Sequence, residues 1–242
     1  MSDIALRFDR VGKAYAGAKA LDEFSLEVEH GEFVALVGVN GAGKTTLLKC
    51  LLDFCDADRG AIEIFGRPHR QTAARARLAY LPERFNPPFF LTGREFLQYM
   101  MRLYGEPYDA DRAVRMFSAL DLDPAALVRP ARTYSKGMTQ KLGIAACLLS
   151  GKALFILDEP AGGLDPKARA LFKNELRALR ASGGTVFFTS HSLADVAELC
   201  DRMVVLHGGT LRYAGTPAGL NQRHGGADLE SAFLNCIGAA TA

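Results

Sequence analysis

The chain has 242 residues, 49% of them hydrophobic and 23% charged, a balance that supports a buried core in one large domain and excludes intrinsic disorder. Its 29 basic and 27 acidic residues leave a formal net charge of +2, which supplies no polybasic footprint for nucleic acid or a membrane surface. Cys50, Cys55, Cys147, Cys200 and Cys236 include no CxxC pair, which excludes the usual zinc and dithiol motifs and leaves buried free thiols in a reducing compartment as the expectation.

The start, MSDIALRFDR, has acidic residues and no apolar run of signal-peptide length, so the expected setting is the cytoplasm. Ile4, Leu6 and Phe8 alternate with polar residues, as do Phe24, Leu26 and Val28, the period of half-buried antiparallel strands. Residues 33–37 (FVALV) form a continuous β-forming run suited to a strand buried on both faces, followed by Gly38 and a helical stretch over 44–52. Thr92 with Glu95 three positions later reads as a capping box. Phe96, Met100 and Leu103 with Leu97, Met101 and Tyr104 then mark one helical face, and a second helix is expected over about 111–120.

The most apolar stretch, residues 142–157, is broken by Gly151 and Lys152 and stops at Asp158-Glu159, short of a bilayer span. No direct membrane insertion is expected, and any role at a membrane runs through another chain. Further buried-strand candidates lie at 154–157 (LFIL), 186–189 (VFFT) and 203–206 (MVVL), separated by helices. The helix between the first two opens with Asp165 as N-cap and Pro166 at its first position and closes at Gly183-Gly184. The pattern predicts an α/β fold with a parallel sheet core and an N-terminal antiparallel β part. One domain spans 1–242: the core takes 1–87 and 151–220, an inserted all-helical lobe takes 88–150, and a C-terminal tail helix takes 221–242.

Residues 38–45 (GVNGAGKT) fit the GxxxxGK[ST] phosphate loop, and they sit where its mechanism requires, between a buried strand and a helix start. Gly38, Asn40, Gly41, Ala42 and Gly43 carry the backbone amides of an anion nest, reinforced by the helix dipole. Lys44 reaches the β- and γ-phosphates, while Thr45, with Thr46 beside it, offers a hydroxyl to Mg²⁺, a hard cation that takes oxygen ligands. Asp158 and Glu159 end a buried strand at the sheet edge where open α/β sheets bind ligands. The expected roles are Mg²⁺ binding, directly or through water, for Asp158 and activation of the attacking water for Glu159. Without the phosphate loop, that acidic pair reads as an ordinary solvated strand end.

The order Tyr15, phosphate loop, Leu81-Pro82-Glu83, Tyr134-Ser135-Lys136-Gly137-Met138, Asp158-Glu159, Gly163-Leu164-Asp165 and His191 resembles the ATPase domain of ABC transporters over nearly the whole chain. The serine–glycine helix start about 90 residues after the phosphate loop, with the carboxylates about 20 further on, separates this family from other phosphate-loop proteins. The resemblance implies a P-loop NTPase core that uses ATP and Mg²⁺. Tyr15 stacks on adenine, and Glu83 reaches Mg²⁺ through water. Ser135, Lys136 and Gly137 bind the γ-phosphate held by an opposite subunit, Asp165 lies at the subunit boundary, and His191 holds Glu159 and the attacking water in geometry.

Two positions depart from the family pattern. The signature is Tyr134-Ser135-Lys136-Gly137-Met138 rather than Leu-Ser-Gly-Gly-Gln, and Glu83 stands where a glutamine is usual. Ser135 and Gly137 keep the anion contacts, Lys136 adds positive charge, and Met138 lacks the glutamine's hydrogen bonds. Residues 229–234 (LESAFL) resemble the Leu-Glu-x-x-Phe ending of ATPase subunits of bacterial exporters. The resemblance therefore implies a homodimer closed head-to-tail around MgATP, peripheral on the inner face of the cell membrane, driving a membrane-spanning permease subunit, with no nucleic acid as partner. The alternative is a cytosolic ABC ATPase acting on nucleic acid or ribosomes, which usually carries two cassettes, whereas this chain has one phosphate loop. A small-molecule kinase or GTPase is a further alternative, against which no guanine-reading Asn-Lys-x-Asp occurs.

Overall fold

The computed structural model describes residues 4–238 and divides into two compact units, one built from the segments up to Arg77 and from Thr185 onward, the other from Leu78–Gly184. The first unit opens with β1 (Ile4–Tyr15) and β2 (Ala18–Glu29), antiparallel about a two-residue turn. Ala16 and Gly17 both take positive φ (47° and 84°), the conformation that matches the strand twist in a tight hairpin. The expected alternation holds: Leu6, Phe8, Phe24, Leu26 and Val28 are buried. Phe8 packs edge-on to Phe24 at 5.4 Å and lies 5.9 Å from Phe187. Each such burial contributes roughly 1.5–3 kcal/mol.

Next come β3 (Phe33–Val37), buried at every residue, and α1 (Lys44–Leu51). They are followed by β4 (Arg59–Ile64), the two-residue β5 (Arg67–Pro68) and the single turn α2 (Thr72–Arg75). The antiparallel sheet runs β2-β1-β4-β5.

The second unit holds β6 (Leu78–Leu81), α3 (Gly93–Tyr104), α4 (Ala110–Ala119), two 3-10 turns (Pro124–Val128 and Ala131–Thr133), α5 (Lys136–Leu149), β7 (Leu154–Leu157) and α6 (Pro166–Ala181). The lobe boundary expected at residue 88 falls inside this unit, which also takes in β6, β7 and α6. The capping box of α3 is present in both directions: Glu95 N donates to Thr92 Oγ1 at 3.2 Å and Thr92 N to Glu95 Oε2 at 2.8 Å. Its apolar face is narrower than expected. Phe96, Leu97 and Met101 are buried, but Leu103 is 63% exposed because it falls at the rim of the arc those three define. The next helix starts one residue earlier than expected, since Asp109 caps it by accepting from Arg112 N at 2.9 Å.

The chain then returns to the first unit with β8 (Thr185–Thr189), α7 (Leu193–Leu199), β9 (Arg202–His207), β10 (Thr210–Gly215), α8 (Pro217–His224) and α9 (Leu229–Cys236). Its second sheet runs β10-β9-β3-β8, with β3 parallel to both β8 and β9. The register pairs Leu36 with Thr189 and Val37 with Val205, so the chain leaves β3 and β8 at the same sheet edge. The tail expected as one helix over 221–242 is instead two short helices. Gly225 and Gly226 take φ of 67° and 135°, which terminates α8, and Asp228 caps α9 afresh by accepting from Ser231 N at 2.8 Å. Residues 239–242 of that expectation lie outside the described residues.

Candidate functional site: a phosphate-binding loop and a carboxylate edge

In the first unit, the loop between β3 and α1 is wound by its glycines. Gly41 and Gly43 take φ of 79° and 112°, and a Cβ on Gly43 would come within 2.5 Å of Ala20 O, so neither strain nor space admits a side chain there. Gly209 N donates to Ala42 O at 3.0 Å and Ala42 N to Val39 O at 3.1 Å, which fixes the loop from both sides. The N-terminus of α1 receives no side-chain cap, because the residue at that position is Gly43. The first-turn amides thus keep the anion-binding capacity that a serine or aspartate cap would have used. Lys44 is 9% exposed and folds over its own loop, its Nζ donating to Gly38 O at 2.5 Å and Val39 O at 3.3 Å. Asn40 and Thr45 are exposed, and Thr46 is half-buried.

His191 lies in the same unit, exposed, two residues past β8. Ser190 is buried beside it and accepts from Ser192 N at 3.0 Å, which shapes the entry to α7. Because β3 and β8 are parallel neighbours, phosphate loop and histidine emerge together. They share a cavity of about 160 Å³ lined by Gly38, Val39, Ser190 and His191 and closed on one side by Glu230, Phe233 and Leu234 of α9. The tail motif therefore packs beside the histidine, a placement that its amphipathic spacing alone did not reveal. Tyr15 ends β1 and is 47% exposed. Its hydroxyl donates to Cys55 Sγ at 3.6 Å, and Lys13 Nζ lies 5.4 Å from its ring centroid. Asp58, which no sequence motif marks, anchors this segment by accepting from Lys13 Nζ at 2.7 Å and Ala14 N at 2.8 Å.

In the second unit, β6 and β7 are parallel with Leu81 paired to Leu157. Asp158 follows immediately, buried, its amide donating to Leu81 O at 2.8 Å. Glu159 is half-buried and takes φ of 48°, the left-handed region that a non-glycine residue enters at a cost of about 1–3 kcal/mol and that concentrates at functional turns. Glu83 is exposed just past β6. The acidity at this edge registers on Tyr80, whose phenol is pushed up to about 12, first by burial and then by the negative charges of Asp158 and Glu83.

Ser135 caps α5, its hydroxyl accepting from Met138 N at 3.2 Å. Gly137 faces Gly163: a Cβ on Gly137 would sit 3.4 Å from Gly163 O, and one on Gly163 would sit 3.1 Å from Lys136 Cε. Asp165 is exposed and caps α6 by accepting from Ala168 N at 2.8 Å. Gln140, which no sequence motif marks, is 6% exposed and donates from Nε2 to Pro160 O at 2.9 Å, tying the serine–glycine helix to the turn after Glu159. Nothing in its sequence neighbourhood announces this, because the bond spans twenty positions. Each unit thus gathers its own set: Tyr15, the phosphate loop and His191 in the first, and Glu83, Ser135, Lys136, Gly137, Asp158, Glu159 and Asp165 in the second.

A family model described as ABC transporter matches residues 21–162, a span that holds the phosphate loop, the serine–glycine helix start and the carboxylate pair. The chain belongs to the ABC transporter family. Tyr15, Asp165 and His191 lie outside the matched span of this ABC-family chain. The Nod factor export ATP-binding protein I of Paraburkholderia xenovorans is 35% identical over 237 residues, 96% of this chain and 78% of the relative. An uncharacterized ABC transporter ATP-binding protein of Synechocystis is 39% identical over 204 residues, 83% of this chain, and one of Nostoc is 39% identical over 198 residues, 79% of this chain. The matches span 57% and 58% of the lengths of those last two relatives. Among solved structures, an ATP-binding subunit of an ABC transporter is 30% identical, with a TM-score of 0.87 over 96% of this chain and 99% of that one. A dimeric ATP-binding cassette in a post-hydrolysis state, bound to ADP and Pi, is 21% identical, with a TM-score of 0.79 over 87% of this chain and 98% of the other, and supports the fold alone. No helix among the described residues is long and apolar enough to cross a membrane.

Proposed function

We propose that this chain is the ATP-binding subunit of an ABC exporter, binding and hydrolysing MgATP at a head-to-tail homodimer interface to drive a separate membrane-spanning permease. The observation that carries the nucleotide assignment is the uncapped N-terminus of α1 behind Gly43, with the Lys44 ammonium folded over the loop carbonyls of Gly38 and Val39. Such a loop presents its amides to phosphate, and the ammonium exchanges the loop carbonyls for phosphate oxygens on binding. The export assignment draws on the Nod factor export relative and on the Leu-Glu-x-x-Phe tail.

In this reading, amides from Gly38 to Thr46 hold the β- and γ-phosphates, Lys44 neutralises their charge, and Tyr15 stacks on the adenine. Thr45, Asp158 and Glu83 serve Mg²⁺, which enters as part of the substrate. Among the described residues no group of three His, Cys, Asp or Glu side chains could hold a metal. One hydroxyl and two carboxylates, from Thr45, Asp158 and Glu83, nevertheless fit Mg²⁺, which keeps several waters and takes phosphate oxygens with one or two carboxylates. Glu159 removes a proton from the attacking water, and His191 holds that water and the γ-phosphate in line. Ser135, Lys136 and Gly137 contact the γ-phosphate held by the second copy, with Asp165 at the boundary between copies.

Cleavage of the γ-phosphate removes the bridge between the copies, and this order-to-disorder change is the mechanical output. The permease docks beside the Glu83 turn and the helical segment, where Phe89 (67% exposed) and Phe90 stand edge-on at 5.5 Å and Tyr99 and Leu103 are exposed one turn apart on α3. That contact places the subunit on the inner face of the cell membrane. The test is phosphate release by the purified chain in MgATP. Glu159→Gln is expected to bind MgATP as wild type does and to lower turnover by at least about 100-fold, the usual weight of general-base catalysis. Undiminished turnover in that variant contradicts the assigned base.

A further inference from the structure

Two of the five cysteines meet. Cys50 is fully buried in the last turn of α1, and Cys55 is half-buried in the segment after it. That segment winds back on the helix: Asp53 takes φ of 61°, Phe54 N donates to Lys49 O at 2.8 Å, and Cys55 N donates to the same oxygen at 3.3 Å. The result is an Sγ–Sγ separation of 3.6 Å, and Cys55 Sγ also accepts from the Tyr15 hydroxyl at 3.6 Å. Burial pushes the Cys50 thiol up to about 12, reinforced by the neighbouring Cys55, so Cys50 stays protonated and Cys55 is the member open to solvent oxidants.

We propose that Cys50 and Cys55 are a reversible oxidation site, converted by a hydroperoxide to a disulfide that withdraws Cys55 from Tyr15 and weakens nucleotide binding. The Cys55 thiolate attacks one peroxide oxygen and the O–O bond breaks. Cys55 becomes a sulfenic acid, and the departing hydroxide takes the proton that Cys55 gave up, forming water. Cys50 sulfur then attacks the sulfenic sulfur, the S–O bond breaks, and the second hydroxide leaves with the Cys50 proton. Two thiols and one hydroperoxide yield one disulfide and two waters (or water and an alcohol), the two electrons passing from sulfur to oxygen. A dithiol reverses the reaction by exchange.

The Sγ atoms must close from 3.6 Å to about 2.05 Å, and the mobile partner is Cys55, since it lies outside regular structure while Cys50 is held in the helix. That movement draws the sulfur acceptor away from the Tyr15 hydroxyl, so the ring loses a contact that holds it beside Lys13 Nζ, 5.4 Å from its centroid. The effect on nucleotide rests on the reading of Tyr15 as the adenine platform, whose single π contact corresponds to about a two- to tenfold change in affinity.

The experiment treats the full chain with hydrogen peroxide and follows intact mass, peptide maps without reductant, and MgATP affinity. The expected result is loss of two hydrogen atoms, a bridge mapped to Cys50–Cys55, weaker MgATP binding and full recovery with dithiothreitol. Cys50→Ser is expected to stop at a Cys55 sulfenic acid that dimedone traps, and Cys55→Ser to form no bridge. Oxidation that leaves both thiols untouched or joins other cysteines overturns the site. A mapped bridge with unchanged affinity overturns the coupling, provided that Tyr15→Ala weakens binding in the reduced protein. If Tyr15→Ala binds normally, the adenine reading fails together with the coupling, while the bridge is still decided by the map.

Discussion

Lys44→Ala separates the phosphate reading from a merely structural loop. In the structure Lys44 Nζ donates to two backbone carbonyls of its own loop, at 2.5 and 3.3 Å. Binding exchanges these dipolar acceptors for phosphate oxygens of full negative charge. The gain is thus the difference between two sets of charge-assisted bonds, about 1.5–3 kcal/mol rather than their sum. At about 1.4 kcal/mol per tenfold, truncation weakens MgATP binding by roughly 10- to 150-fold. Titration calorimetry measures the affinity directly, and a thermal melt on the same sample establishes that the variant is folded. Affinity within about twofold of wild type in a folded variant refutes the assignment, since a lysine that only braces its own loop carries no such term.

Two further outcomes follow from individual contacts. Asp165→Ala removes the acceptor for Ala168 N at 2.8 Å and is expected to destabilise the second unit by about 1 kcal/mol, read as a midpoint about 2–4 °C lower by calorimetry. An unchanged midpoint means that Asp165 contributes nothing as a cap. Tyr80 is raised to about 12 from an ordinary phenol value of 10, so between those values the folded chain holds a proton that the unfolded chain has lost, and stability falls as pH rises through that window. Tyr80→Phe is expected to flatten the alkaline limb of the denaturant midpoint by up to one proton, and an unchanged slope contradicts a phenol held protonated at that edge, first by burial and then by the charges of Asp158 and Glu83.

The phosphate loop was legible because its spacing, its buried strand and its helix start agree, and agreement across levels is what specifies a fold. The carboxylate pair was legible only after it, since an Asp-Glu at a strand end says little by itself. The short β5 and β6, and the edge strand β10, left no period long enough to read. Tail breakage was written in Gly225-Gly226 but masked by the apolar spacing of residues 229–234. Leu103 misled because a count of apolar positions does not reveal where the buried arc ends. Gln140 and the Cys50–Cys55 meeting were out of reach for another reason: each depends on a chain reversal, the latter on the left-handed Asp53, that no periodicity encodes.

In the proposed function, one chain's phosphate loop and another chain's Ser135 hold the same triphosphate. Sedimentation of Glu159→Gln in MgATP tests it most directly, run alongside the double variant that adds Ser135→Arg. The expected result is a nucleotide-dependent dimer for the first and a monomer that still binds MgATP for the second. A Glu159→Gln protein that binds MgATP and stays monomeric even with its permease supplied, or a double variant that dimerises as readily, contradicts it.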